Sequence, residues 1–212
     1  MRKTKIPDAA IKRLPVYLRV LEELAGADIP IISSAELAEK TGFSPEQIRK
    51  DLAYFGAFGT RGVGYDTAML SRRISRILGL HHGVKAALVG AGHLGYALAR
   101  YSISRHKDIR ITAIFDVAPD KVGTEIMGVP VQSMKELVTT VRDQGIKIGI
   151  LTVPASEAQA TAELLRQGGV EAILNFAPAK IKLDDVFIHN IDLTIELQSL
   201  AYYTSASEEE QE

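Results

Sequence analysis

The residues whose type and spacing suit chemistry are found first in the run Gly90-Ala91-Gly92-His93-Leu94-Gly95, a match to G-x-G-x-x-G. Such a run is informative only in context: it must follow a strand, open a helix, and be answered about twenty residues on by an acid. The apolar segment 84–89 precedes it, a helical pattern over 94–104 follows, and a second apolar segment, 109–115, leads into Asp116, 21 residues beyond Gly95. Gly90 then makes the tight turn, Gly92 lets backbone amides approach a pyrophosphate, and Gly95 lets helix and strand pack closely. The amides of the helix start, around His93 and Leu94, and the positive end of its dipole favour the same anion. A carboxylate at Asp116 accepts hydrogen bonds from ribose hydroxyls and repels a 2′-phosphate. The following Val117-Ala118-Pro119-Asp120 holds no arginine to compensate, so the pattern favours NAD(H) over NADP(H). A loop that only packs a Rossmann-like domain, or that takes another nucleotide such as coenzyme A, shares the pattern.

A second set of residues suits nucleic acid. Ser33-Ser34-Ala35-Glu36 and Ser44-Pro45-Glu46-Gln47 are two helix starts on either side of the turn Thr41-Gly42-Phe43. They give a helix-turn-helix with 34–40 as supporting helix and 44–55 as recognition helix. Ser44, at the head of that helix, and Gln47, Arg49 and Lys50 are placed to meet base edges or phosphates. Four glycines between Gly56 and Tyr65 suit a hairpin or wing, whose Arg61 would enter an adjacent minor groove. Charge agrees with this division. Residues 1–82 carry 13 Lys+Arg against 9 Asp+Glu, and residues 83–212 carry 12 against 17, although the whole chain is at −1.

Other chemistries are excluded or unsupported. With no cysteine there are no disulfides, thiolate nucleophiles or cysteine-based metal centres. The five histidines are scattered: His93 falls inside the glycine loop, His106 precedes a polar turn, and His189-Asn190 reads as a loop. None is placed as a proton donor for hydride transfer, so binding without turnover is expected and no catalytic residue is assigned. The alternative is a small NAD(H)- or coenzyme A-binding enzyme with an accessory helical domain. No apolar run approaches the eighteen or so residues of a membrane span, and the basic start Met1-Arg2-Lys3 leads into no apolar segment, which predicts a cytoplasmic protein.

The elements that must position these residues follow from periodicity. Ile11, Leu14, Leu18, Leu21 and Ala25 form a helical stripe, with Pro15 predicting a kink or a new helix start. A connecting helix over 67–80 carries Arg72, Arg73 and Arg76, and His81-His82-Gly83 marks a boundary between domains 1–82 and 83–192. Beyond it, apolar runs at 84–89, 109–115, 146–153 and 172–176 alternate with helical patterns at 94–104, 133–142 and 156–167. Strands separated by helices indicate an α/β fold with a right-handed parallel Rossmann-like sheet. The non-alternating Ile148-Gly149-Ile150-Leu151 indicates burial on both faces. A final helix over 193–204 precedes an acidic tail, 205–212, expected to be disordered.

Taken together, several segments resemble the Rex family of redox-sensing transcriptional repressors. They are Arg13-Leu14-Pro15-Val16-Tyr17-Leu18-Arg19, Ile48-Arg49-Lys50-Asp51-Leu52-Ala53-Tyr54-Phe55-Gly56, Gly62-Val63-Gly64-Tyr65, the loop 90–95, Phe115-Asp116, Leu151-Thr152-Val153-Pro154, Asn175-Phe176-Ala177-Pro178 and Ile191-Asp192. The resemblance implies a homodimer that binds a palindromic operator through its winged helices, exchanges its C-terminal helix with the partner, and releases DNA when NADH binds. It also implies a switch in which Asp192 changes partner between Tyr101 and Arg19, with Tyr101 close to the cofactor. Read without the family, Asp192 caps the last helix, Tyr101 is a helix-face aromatic and Arg19 a solvated charge.

Overall fold

The computed structural model describes residues 6–56, 58–60, 62–105 and 108–209. Packing divides the chain into two units, Met1–His82 and Gly83–Glu212.

The first unit comprises α1 (Asp8–Gly26), β1 (Ile31–Ile32), α2 (Ser34–Thr41), α3 (Pro45–Ala53), β2 (Tyr65–Asp66), α4 (Thr67–Ile77) and a 3-10 turn, Leu80–His82. Contrary to expectation, α1 runs unbroken through Pro15. Proline costs a helix interior about 3 kcal/mol. Burial of Leu14, Tyr17, Leu18, Leu21 and Leu24 on one face, at about 1.5–3 kcal/mol for each large side chain, outweighs it. The buried stripe is also rotated from the expected one: Ala10 is inside, whereas Ile11 is 44% exposed.

The expected capping box at α2 forms, with the Ser33 amide donating to Glu36 Oε2 (2.8 Å) and the Glu36 amide to Ser33 Oγ (3.1 Å). Gly42 ends α2 at φ 75°, a left-handed position. The third helix stops at Ala53, two residues before the expected Phe55. The glycine-rich stretch closes through paired backbone bonds between Thr60 and Gly64 (both 3.0 Å) and leads into β2, which pairs antiparallel with β1. At Gly64 a side chain is impossible: φ is 112° and a Cβ would lie 2.5 Å from the Ile32 carbonyl oxygen.

The second unit comprises β3 (Val84–Val89), α5 (His93–Arg105), β4 (Ile109–Asp116), β5 (Glu125–Ile126), β6 (Val129–Ser133), a 3-10 turn (Met134–Glu136), α6 (Leu137–Gln144), β7 (Ile148–Leu151), α7 (Ala155–Gly168), β8 (Ala172–Asn175), β9 (Phe187–Asn190) and α8 (Leu193–Glu209). Its sheet has the order β5-β6-β4-β3-β7-β8-β9 and is parallel except for the β5–β6 pair. That hairpin was not expected, because its turn is Met127-Gly128 in place of Asn-Gly; both residues nonetheless adopt positive φ. The strand β9 replaces the loop expected at His189-Asn190; Phe187 and Asn190 are exposed on this edge strand, so no apolar pattern announces it.

One sheet face packs Val89, Phe115, Leu151 and Ile173 against α6 and α7, and the other packs Leu88, Ile111 and Ile114 with Ala99 of α5. In β7 and β8 burial alternates, with Ile148, Ile150, Ala172 and Leu174 only half-buried, so these strands are not closed on both faces as expected. The last helix continues to Glu209, correcting the acidic tail placed at 205: Leu193, Ile195, Leu197, Leu200, Tyr202 and Tyr203 along it are all exposed.

Candidate functional site: a nucleotide crevice and a winged-helix surface

The crevice forms where the sheet order reverses. From β3 the chain proceeds to β4 and β6 on one side and returns to β7 on the other, so the loops leaving β3 and β7 diverge, the position where open α/β sheets bind ligands. Gly90, at φ 99°, turns the chain out of β3 with its amide on the Phe115 carbonyl (2.8 Å). A Cβ on Gly90 would lie 2.6 Å from the Thr152 carbonyl oxygen, and one on Gly95 would lie 1.9 Å from the Gly90 carbonyl oxygen. By contrast Gly92 has nothing within 4 Å of its Cβ position, so its backbone faces open space. Two of the three glycines are therefore required by packing, and the third leaves room for a ligand. Thr152, at the end of β7, binds the loop from the other side: its amide donates to the Val89 carbonyl (2.9 Å) and its hydroxyl to that of Gly90 (2.7 Å).

Asp116 closes the turn. Its carboxylate is 7% exposed and accepts from the amides of Ala91 (2.6 Å) and Ala118 (2.8 Å), with Lys121 Nζ 3.4 Å away. Burial pushes this carboxyl up, but the two amides and the ammonium outweigh that and hold it below the ordinary aspartate range. A cavity of about 630 Å³ opens beside it, lined by Gly92, Asp116 and Lys121 on its polar side and by Val117, Met134, Val153 and Leu164 elsewhere. That volume and mixed lining suit a cofactor-sized ligand. His93 and Leu94 are exposed at the helix start and Ala91 is half-buried. Tyr101, two turns along α5, is 55% exposed and does not line the cavity.

In the first unit, Ser44 Oγ accepts from the Gln47 amide (3.2 Å) and so serves as the cap of α3. Arg49 and Lys50 are exposed; the Arg49 guanidinium donates to Ser34 Oγ (2.7 Å) and to Glu46 (2.9 Å). A cleft of about 540 Å³ runs between α3 and the glycine-rich segment, lined by Ser34, Arg49, Gly56, Thr60 and Gly62. Arg61 lies outside the described residues. The Gln47 side chain turns inward, its amide donating to Asp51 Oδ1 (2.7 Å). Of the remaining expected residues, Arg19 is exposed on α1 in the first unit. Asp192, in the second, accepts from the amides of Thr194 (2.9 Å) and Ile195 (3.4 Å), capping α8.

Lys121, Thr152 and Asp51 carry no sequence signal that marks them as site residues: Lys121 directly follows Val117-Ala118-Pro119-Asp120, where no arginine stands, and Thr152 and Asp51 appear only within the segments that resemble the family.

A winged helix-turn-helix joined to a Rossmann-type unit with an open glycine loop defines the class: a regulator that couples a nucleotide to DNA. A family model for CoA binding domains matches residues 82–179, and one for a putative DNA-binding protein N-terminus matches residues 5–53. The chain is 52% identical over 203 residues to the redox-sensing transcriptional repressor Rex of Natranaerobius thermophilus, covering 95% of this chain and 93% of that one. It is 46% identical over 200 residues to that of Brevibacillus brevis, covering 94% and 97%. Among solved structures, RSP in complex with beta-NAD+ and operator DNA matches with a TM-score of 0.89 at 38% identity, covering 98% of this chain and 96% of that one. RSP in complex with beta-NADH matches at 0.83 and 37%, covering 98% of both chains. The chain belongs to the Rex family of redox-sensing transcriptional repressors.

Proposed function

We propose that this chain is a repressor that reads the cellular NADH/NAD+ ratio: its winged helix binds a palindromic operator, and NADH in the crevice of the second unit releases it. The observation that carries this reading is the crevice itself. Gly92 is open to a ligand, Asp116 is held ionised beside it, and relatives of matching fold are complexes with NAD+ plus operator DNA and with NADH. Lacking cysteine, the protein takes its redox signal from a bound nicotinamide. Binding without turnover is part of the reading, supported by the naming of its relatives as repressors. No helix among the described residues is long and apolar enough to cross a membrane, and access to the operator requires a cytoplasmic location.

The assembly we infer is a homodimer with α8 exchanged. Its support is the exposed apolar length of α8 together with the half-buried Ile148, Ile150 and Leu174 of β7 and β8, surfaces that cost free energy when left in water. In the same reading Asp192 exchanges partners between Tyr101 and Arg19 as the nicotinamide changes charge.

The match to CoA binding domains favours a second ligand, since coenzyme A shares the adenosine diphosphate half. A carboxylate at the ribose opposes its 3′-phosphate, so NADH is expected to bind more tightly. The test is a gel-shift titration of operator DNA with NADH, NAD+ and coenzyme A side by side. Release by NADH alone supports the reading; steady consumption of NADH with an aldehyde or keto acid, and no DNA shift, refutes it.

A further inference from the structure

Asp51 lies on α3, one residue from Lys50, yet it is 0% exposed. Three residues converge on its carboxylate. Arg13 donates from Nε to Oδ2 (2.5 Å) and from Nη2 to Oδ1 (2.8 Å), Tyr17 donates its hydroxyl to Oδ2 (2.8 Å), and Gln47 donates its amide to Oδ1 (2.7 Å). Phe43, in the turn before α3, packs edge-on to the Tyr17 ring at 5.7 Å and under the Arg13 guanidinium at 5.8 Å. The cluster therefore ties α1, the turn and the recognition helix together at one buried charge.

A buried carboxylate is an expensive way to hold two helices, because apolar side chains of equal volume pack as well without the desolvation penalty. What an ion pair adds is direction, and α3 needs it. The helix has 9 residues, and its buried apolar contacts are Ile48 and Leu52, one narrow stripe about which a short cylinder can roll. The planar guanidinium of Arg13, bidentate on Asp51, resists that roll. Arg49 and Lys50 follow whatever rotation α3 takes. At a radius of about 6 Å, a roll of about 20° moves their side chains by about 2 Å, enough to break hydrogen bonds of about 2.9 Å.

We propose that Asp51 is a positioning residue for operator recognition, setting the rotation of α3 against α1 through Arg13 and Tyr17, and that Gln47 serves this cluster in place of reading a base. The inference rests on the repressor reading above. It also makes α1, which carries Arg19, the element to which the reading face of α3 is keyed.

The experiment uses the full chain and an operator selected by the wild type from random palindromes. For Asp51→Asn, Arg13→Lys, Tyr17→Phe and Gln47→Ala, it measures affinity for the operator, for its single-base variants and for unrelated DNA, together with salt slopes and thermal melts. Lysine cannot form the bidentate fork, so Arg13→Lys is expected to lower the ratio of operator to unrelated-DNA affinity about tenfold, as is Asp51→Asn, with the salt slope unchanged. Tyr17→Phe keeps the ring against Phe43 and loses one donor, so it keeps the fold testable even where Asp51→Asn melts; a drop of about threefold in the ratio is expected. Gln47→Ala is expected to weaken binding evenly across all single-base variants. Relaxed preference at one base pair in Gln47→Ala, or unchanged ratios in Arg13→Lys and Tyr17→Phe, overturns the inference while leaving the repressor reading intact. A wild type that selects no sequence overturns both.

Discussion

Replacing Asp116 with alanine removes the carboxylate that holds the glycine loop beside the cavity and that is proposed to accept from a ribose hydroxyl. In the free protein its loss leaves the amides of Ala91 and Ala118 without their acceptor and Lys121 without its counter-charge. Ala118 lines the cavity and Ala91 lies between Gly90 and Gly92, which also line it, so water is expected to replace the carboxylate and the fold to survive. With NADH bound, one charge-assisted hydrogen bond to a ribose hydroxyl contributes about 1.5–3 kcal/mol. Affinity is therefore expected to fall about 10- to 150-fold, at 1.4 kcal/mol for each factor of ten. NADPH responds differently. A carboxylate and a phosphate charge at about 4 Å repel by about 4 kcal/mol at an effective dielectric of 20, and Lys121 cancels part of this. Removing the carboxylate leaves Lys121 alone with the 2′-phosphate, so NADPH should lose little affinity or gain some, closing the gap to NADH. Fluorescence titration of the purified protein with both cofactors measures the two constants. An unchanged NADH affinity, or an NADPH affinity that falls in parallel, would refute the assignment of Asp116 as the ribose acceptor.

Lys50→Ala should weaken operator binding and reduce its salt slope by about one if the lysine meets a phosphate, which gel shifts across a salt series will show. Asp192→Asn keeps an oxygen to cap α8, so its melting temperature should stay close to wild type while release of operator by NADH is blunted; full NADH sensitivity would remove Asp192 from the switch. Leu200→Lys on α8 should shift the protein toward monomer in sedimentation, because it places a charge on a surface inferred to be buried in the dimer. Asp51 is held below the ordinary aspartate range because its hydrogen bonds from Arg13, Tyr17 and Gln47 outweigh the upward push of burial. A depressed carboxyl stabilises the fold above its unfolded value of about 3.9, and the gain is lost as pH falls through the folded value. The wild type should therefore lose more melting temperature between pH 5 and pH 3 than Asp51→Asn does.

Much of this protein is local in origin and so was legible in one dimension. The capping box at Ser33 and Glu36, the left-handed Gly42 and the cap at Ser44 are contacts within three or four residues, and they delimit α2 and the start of α3. The glycine loop was legible for the same reason, since strand, turn and helix are consecutive. Where the reading failed, a long-range term overruled a local one. Pro15 breaks a helix in isolation but not one whose next turns are buried. The edge strand β9 exists because β8 offers a partner, and its own residues carry no apolar alternation.

The sequence by itself determined that a basic helical unit is followed by an acidic nucleotide-type fold, because composition, caps and periodicity are properties of neighbouring residues. Only the tertiary structure decided what surrounds Asp116 and Asp51. Asp116 stands between apolar neighbours and Asp51 follows Arg49-Lys50, and nothing adjacent to either shows that one is braced by Ala91 and Lys121 beside an open cavity and the other is closed over by Arg13 and Tyr17. Burial and partner geometry depend on residues up to 38 positions away, brought together only when the helices and strands pack.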